Sequence, residues 1–233
     1  MILLALLLAS IGAADLVRPQ DTALTRRGLA RAVIVSVAVA GLGVWGCGLA
    51  WWWAAIGLAL VLGWLVTTPS STVLPRSHPW PLVALTGVVL ALLASSGEVP
   101  APAGWLTDWY ASLEITALDT VPFERFAVVA GALVFLVDSA NIIVRMVLAA
   151  TDAGVMASEQ SLRGGRVLGP IERIIIFAMA LSGEYAALTA VVAAKGILRF
   201  PEISRDVAGR KAEYVLVGSF VSWGLALVLV PLL

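Results

Sequence analysis

The chain has 233 residues, 61% of them hydrophobic and only 13% charged, with a mean hydropathy of +0.99. A soluble domain is nearer ~25% charged, so this chain has about half the usual supply of solvating groups. Its 15 basic and 15 acidic residues cancel, which argues against nucleic acid as the main partner. One cysteine, Cys47, and one histidine, His78, exclude an intrachain disulfide framework and a Cys-rich metal site, and leave almost nothing for zinc hydrolase or Ser-His-Asp chemistry.

Several apolar runs approach the ~20 residues that a bilayer-spanning helix needs. Alternating segments of roughly ten residues, the mark of a membrane β-barrel, do not occur. The composition therefore predicts an all-α, polytopic transmembrane bundle of the plasma membrane, forming one integral membrane domain. Within it, residues 1–96 hold the N-terminal helices, 97–124 an acidic loop, and 125–233 the C-terminal helices with a charged hairpin.

Met1 to Ala14 is apolar but lacks the positive n-region of a secretory signal, so it reads as a retained helix ending at Asp15 and Arg18-Pro19. Arg18, Arg26, Arg27 and Arg31 then outweigh Asp15 and Asp21, and this basic excess predicts a cytoplasmic loop and an outside N-terminus. Ala32 to Trp45 and Leu49 to Val66 read as two helices around a tight Gly46-Cys47-Gly48 turn, with Cys47 a small packing residue. Trp45, Trp51, Trp52 and Trp53 gather at that turn and place it at a water–lipid interface; a cation or sugar site is the other reading.

Thr67 to Pro81 is a Pro/Ser/Thr-rich loop, and Leu82 to Ser95 the next helix. Residues 97–124 hold Glu98, Asp108, Glu114, Asp119 and Glu124 with no basic residue, beside Trp105, Trp109 and Tyr110. That reads as an extracytoplasmic segment with an interfacial helix over Leu106 to Leu118. Phe126 to Ala150 reads as one long helix carrying Asp138, Asn141 and Arg145 on a single face. An ionisable group inside such a helix is either functional or part of an Asp–Arg seam that holds helices together, and the sequence leaves both open.

The charges concentrate between Arg163 and Phe200. Arg163 and Arg166 precede Gly169-Pro170, and Glu172 and Arg173 follow in what reads as a first helical turn. Free backbone N–H groups with arginines beside them suit a phosphate or lipid headgroup; a capped helix start with charges facing the cytoplasm is the plainer reading. If residues 171–198 were one span, two successive basic loops would lie on opposite faces of the membrane, against the charge bias. A break near Ser182-Gly183-Glu184 removes the conflict. It predicts a re-entrant or tilted hairpin with arms of roughly 11–15 residues, or ~16–22 Å. Glu184 then sits at the tip, as a proton acceptor or cation ligand if deep and as a solvated group if not, while Lys195 and Arg199 snorkel near the cytoplasmic end.

The pattern Gly-Arg-x-x-Gly-x-x-Glu-Arg over Gly165 to Arg173, followed by Ala194-Lys195, Arg199-Phe200 and Glu213-Tyr214, resembles a family of small bacterial multi-pass membrane proteins with no assigned activity. Ala14 to Pro19 looks like that family's start. The resemblance covers mainly the C-terminal third, and it implies architecture and a set of suspect residues rather than a function.

The expected site is thus a cytoplasmic-side cluster of Arg163, Arg166, Arg173, Lys195 and Arg199, with Asn141 and Arg145, for an anionic lipid headgroup or a polyprenyl-phosphate-type lipid that is translocated or processed. Asp138, Glu172 and Glu184 are the acid–base candidates. No metal or cofactor is expected; membrane lipids, a second copy or another membrane protein are the expected partners. The competing readings are a non-catalytic scaffold subunit, and a proton-coupled or cation transporter using Asp138 and Glu184. The hairpin yields a direct prediction: cysteines introduced at Ser161 and at Ala208 are both modified by an impermeant thiol reagent only from the cytoplasmic face. Labelling from opposite faces requires one continuous span.

Overall fold

The computed structural model describes residues 1–18, 25–68, 79–97, 99–151, 165–204 and 210–232. Every regular element among them is helical. In chain order these are α1 (Ile2–Val17), α2 (Arg26–Gly41) continued by a π-helical turn (Leu42–Gly46), α3 (Trp51–Thr67), α4 (Trp80–Ala94), the short α5 (Trp105–Ala111), α6 (Phe123–Val137), α7 (Ser139–Thr151), α8 (Gly165–Leu181), α9 (Tyr185–Ser204) and α10 (Arg210–Val228), with a 3₁₀ turn at Val230–Leu232. Among the described residues, two segments are long and apolar enough to cross a membrane, Arg26–Gly46 and Glu213–Leu232, and α6 with α7 makes a third if that bent pair is one span. Helices α1, α3 and α4 are apolar but only 16, 17 and 15 residues long.

The described residues form two compact units, α1 to α6 with Ser139 in the first and Ala140–Leu232 in the second. In the first unit, α1 is the central element. It is apolar on all sides, which suits a helix surrounded by others, and ten of its sixteen residues are buried. It packs on α2, α3 and, most extensively, α6. Glycine makes the last approach possible: a Cβ on Gly12 would lie 2.7 Å from the backbone of Phe135, and one on Gly131 2.5 Å from the Ala5 carbonyl oxygen. Residue numbers rise together along this contact, so α1 and α6 run parallel. Backbone-to-backbone packing of this kind is the usual way apolar helices associate where burial of oil gives no advantage over lipid.

A buried polar network joins α1, α3 and the start of α7. The Asp15 carboxylate is fully buried. It accepts hydrogen bonds from Trp64 Nε1 at 3.0 Å and Ser139 Oγ at 2.6 Å, and its other oxygen lies 3.1 Å from Arg18 Nε. Arg18, only 3% exposed, donates onward to the Leu65 and Thr68 carbonyls and to Thr68 Oγ1. This corrects the expectation that Arg18 is a loop charge. The basic excess ahead of Ala32 is unchanged, because Asp15 leaves the tally with Arg18, but Arg26, Arg27 and Arg31 are exposed on α2, which starts at Arg26 rather than at Ala32, not in a loop.

The α2–α3 turn forms where the glycines predict it. Thr25 caps α2 by accepting from the Gly28 N–H, and Gly48 adopts φ +67°, open to glycine and strained for other residues. Cys47 is buried, as expected for a packing residue, and burial pushes its thiol above the usual range. Trp45, Trp51 and Trp52 are exposed. Helix α5 ends at Ala111, well short of Leu118, because Tyr110 turns inward, packs on Phe123 and Phe126, and donates to the Val121 carbonyl at 2.8 Å.

The expected single helix from Phe126 to Ala150 is broken. Helix α6 ends at Val137, Asp138 takes φ −121° and ψ −44°, and α7 begins at Ser139. In the second unit the break at Ser182-Gly183-Glu184 is present. The Gly183 N–H donates to the Ala180 carbonyl and the Glu184 N–H to the Met179 carbonyl, with Gly183 at φ +77°; this is a Schellman stop. The chain then reverses, since Glu172 and Lys195, on either side of Gly183, meet as an ion pair. The arms are 17 and 20 residues long, longer than expected, because α8 starts before Pro170 and α9 continues past Arg199.

Replacing Gly131 with Leu forces α1 and α6 apart and destabilises the protein by about 1–3 kcal/mol or more, read as a fall in the detergent-solution melting temperature. Asp15→Ala costs more, about 3–5 kcal/mol, because it strands the buried Arg18 guanidinium. Gly57→Ala, inside α3 where an added Cβ meets nothing within 4 Å, serves as the control and leaves the melting temperature unchanged or slightly raised, as a helical glycine replaced without a clash should.

Candidate functional site

The second unit contains a cavity of about 200 Å³ whose walls are part polar and part apolar. Helix α8 contributes Glu172 and Arg173, α9 contributes Lys195, α7 contributes Asn141, and α10 contributes Tyr214, Ser219 and Ser222. The α10 residues follow from helical spacing: Tyr214, Gly218 and Ser222 recur every four residues and share one face. Gly218 keeps that face close to α7, as a Cβ there would lie 3.4 Å from Leu148.

Arg173 is the largest fully buried side chain. Its Nε donates to the Gly169 carbonyl at 3.1 Å, and an Nη2 hydrogen bond reaches Asn141 Oδ1. The guanidinium folds back over Gly169, where a Cβ would lie 3.1 Å from Nη2 and 3.6 Å from Asn141 Oδ1. Glycine at 169 thus leaves room for both polar groups. The Glu172 carboxylate pairs with Lys195 Nζ, and both side chains are less than one fifth exposed. The same nitrogen stands 5.1 Å from the centre of the Trp223 ring, within range of a cation–π contact.

The expected site residues sort themselves as follows. Asn141, Glu172, Arg173 and Lys195 come together at the cavity. Arg163 lies outside the described residues, and Arg166 and Arg199 fall on described helical backbone with side chains that are not described. Arg145, on α7, is partly buried and makes interactions of its own. Asp138 belongs to the first unit's polypeptide at the α6–α7 break. Glu184 is exposed at the hairpin turn.

Two local expectations need correction. Helix α8 starts at Gly165, so Pro170 lies inside it rather than in its first turn, and the N–H groups after Gly169 are not a free helix terminus. Lys195 does not snorkel away from the protein but turns inward to Glu172. Tyr214 stands out in the sequence only through the Glu213-Tyr214 pair of the family resemblance, and Ser219, Ser222 and Trp223 do not stand out at all. The available signal was two serines and an indole inside an otherwise oily final helix, where each polar group asks for a partner. Among the described residues, no group of three His, Cys, Asp or Glu side chains could hold a metal ion.

No family model matches the chain, and neither a curated protein nor a solved structure matches it at a significant level.

Proposed function

We propose that this is a multi-pass membrane protein whose C-terminal unit binds the phosphate-bearing headgroup of a membrane lipid, for translocation or processing. The observation that carries the reading is the cavity of about 200 Å³, with Arg173, Lys195, Asn141 and two serine hydroxyls on its walls, in a chain of overwhelmingly apolar helices. Cations and neutral donors together are what a phosphodiester requires: charge compensation and several directed hydrogen bonds. Apolar faces beside the cavity suit acyl chains, since Leu168, Ile197, Leu198 and Phe220 are all exposed in this unit.

The charge pattern of the loops supports a cytoplasmic mouth for the site and an outside N-terminus. The apolar helices of 15 to 17 residues would serve as further spans where the bilayer thins to meet them. The plasma membrane is the compartment this reading implies.

The protein extracted in mild detergent and washed to constant lipid content retains about one phospholipid phosphorus per chain in a phosphate assay. Ser219→Ala with Ser222→Ala lowers the retained phosphorus at least about threefold while the elution profile stays monodisperse; losing two hydrogen bonds to a charged group permits an effect of that size. Unchanged phosphorus in a well-folded double variant removes the cavity as the site.

A further inference from the structure

At the edge of the cavity, where Glu172 and Lys195 line it and Trp223 stands behind them, one point is surrounded by groups that favour an ammonium. The Glu172 carboxylate on α8 and the indole face of Trp223 on α10 converge there, and Lys195 fills it from α9. A carboxylate supplies charge and a hydrogen-bond acceptor, and an aromatic face supplies a quadrupole that attracts a cation. Both members of the ion pair are mostly buried, so solvent screens them little. Glu172 and Trp223 stand on two separate helices, whereas the ammonium arrives on a flexible four-carbon stem. The acceptor side of this arrangement is held by two helices, and its occupant by a single long side chain. Across the cavity lie the phosphate-type donors, Arg173, Asn141, Ser219 and Ser222.

We propose that the cavity recognises a phosphodiester that carries a primary ammonium, an ethanolamine-type headgroup, and that Glu172 is its specificity-determining residue. The ligand's ammonium takes the place between Glu172 and Trp223 that Lys195 fills in its absence. Lys195 then turns to the phosphate beside Ser219 and Ser222. A headgroup with no amine has to draw Lys195 off Glu172 with nothing to replace it, which leaves a largely buried carboxylate uncompensated. A zwitterion exchanges one ammonium for another and avoids that penalty. This inference rests on the headgroup reading above and narrows it to one class.

The experiment is native mass spectrometry of the purified full chain, delipidated and then offered phosphatidylethanolamine, phosphatidylglycerol or phosphatidylcholine at equal concentration. The wild type takes phosphatidylethanolamine at least about tenfold more tightly than phosphatidylglycerol. Phosphatidylcholine, with no N–H to give Glu172, falls below phosphatidylethanolamine. Glu172→Gln brings the first two lipids to parity or reverses their order. Lys195→Met, which removes the competing ammonium, keeps the amine preference. If Glu172→Gln alone is not monodisperse, the Glu172→Gln, Lys195→Met double variant removes both charges together and carries the same comparison.

Soluble glycerophosphoethanolamine identifies the source. Displacement of the bound lipid by it supports recognition of the headgroup itself, free or lipid-borne; retention of the lipid supports a membrane lipid whose chains add to the binding. Phosphatidylglycerol binding as tightly as phosphatidylethanolamine, with dependence on Ser219 and Ser222, overturns the amine specificity and leaves the headgroup reading standing. An amine preference that survives Glu172→Gln overturns the role of that residue. Binding of none of the three lipids overturns both.

Discussion

Asp15 and Arg18 are buried near the end of the most enclosed helix in the protein, and a buried charge is tolerable only with partners in place. An isolated carboxylate or guanidinium transferred from water is penalised by several kcal/mol even after relaxation. Here the penalty is offset by Trp64 and Ser139 on one carboxylate oxygen, by the Leu65 and Thr68 carbonyls and the Thr68 hydroxyl on the guanidinium, and by the ion pair between Asp15 Oδ1 and Arg18 Nε, which face each other at 3.1 Å without a hydrogen bond. These contacts also fix register. Sliding α1 by one turn against α3, about 5.4 Å, would separate Asp15 from Trp64 and Arg18 from Thr68 together. The close α1–α6 approach at Gly12 and Gly131 demands a single register too. Packing and electrostatics therefore select the same arrangement, which is the consistency expected of a sequence that specifies one fold.

The second unit meets the same constraint differently. Arg173 is enclosed, held to Gly169 and Asn141, while Glu172 and Lys195 pair at the edge of an open space. In the first unit the network is sealed from solvent and serves stability. In the second, hydroxyls on α10 and a pair of cations face a volume large enough for a phosphate ester. That contrast, rather than the mere presence of charges in an oily chain, is why the proposed binding site is placed on the C-terminal helices.

Much of the helical layout was legible in the sequence, and the reasons differ by element. The Gly46-Cys47-Gly48 turn was visible because a positive φ selects glycine, and the hairpin because two basic loops cannot flank one span. The Asp138 break was not. Phe126 to Ala150 has no proline or glycine pair at the join, its polar residues Asp138, Asn141 and Arg145 share the face of a continuous helix, and a change of helix direction leaves no trace in periodicity. Pro170 misled because proline usually marks a helix start, whereas α8 carries it six residues in. Arg18 and Lys195 misled for one shared reason: a long cationic side chain near a helix end ordinarily reaches for water, and only a partner from a distant part of the chain turns it inward. Glu172 in the case of Lys195, and Asp15 with Thr68 in the case of Arg18, are contacts that spacing alone does not announce.

The central claim, a lipid headgroup in the cavity of the C-terminal unit, is tested most directly by photocrosslinking. A phospholipid carrying a diazirine close to its headgroup is irradiated with the protein in a bilayer, and the modified peptides are mapped. The account predicts label concentrated on residues that line the cavity, above all Leu168, Val144 and Val215, and lost on competition with unlabelled lipid. Label spread evenly over exposed apolar helix faces such as those of α3 and α4, with none on the cavity lining, would contradict it.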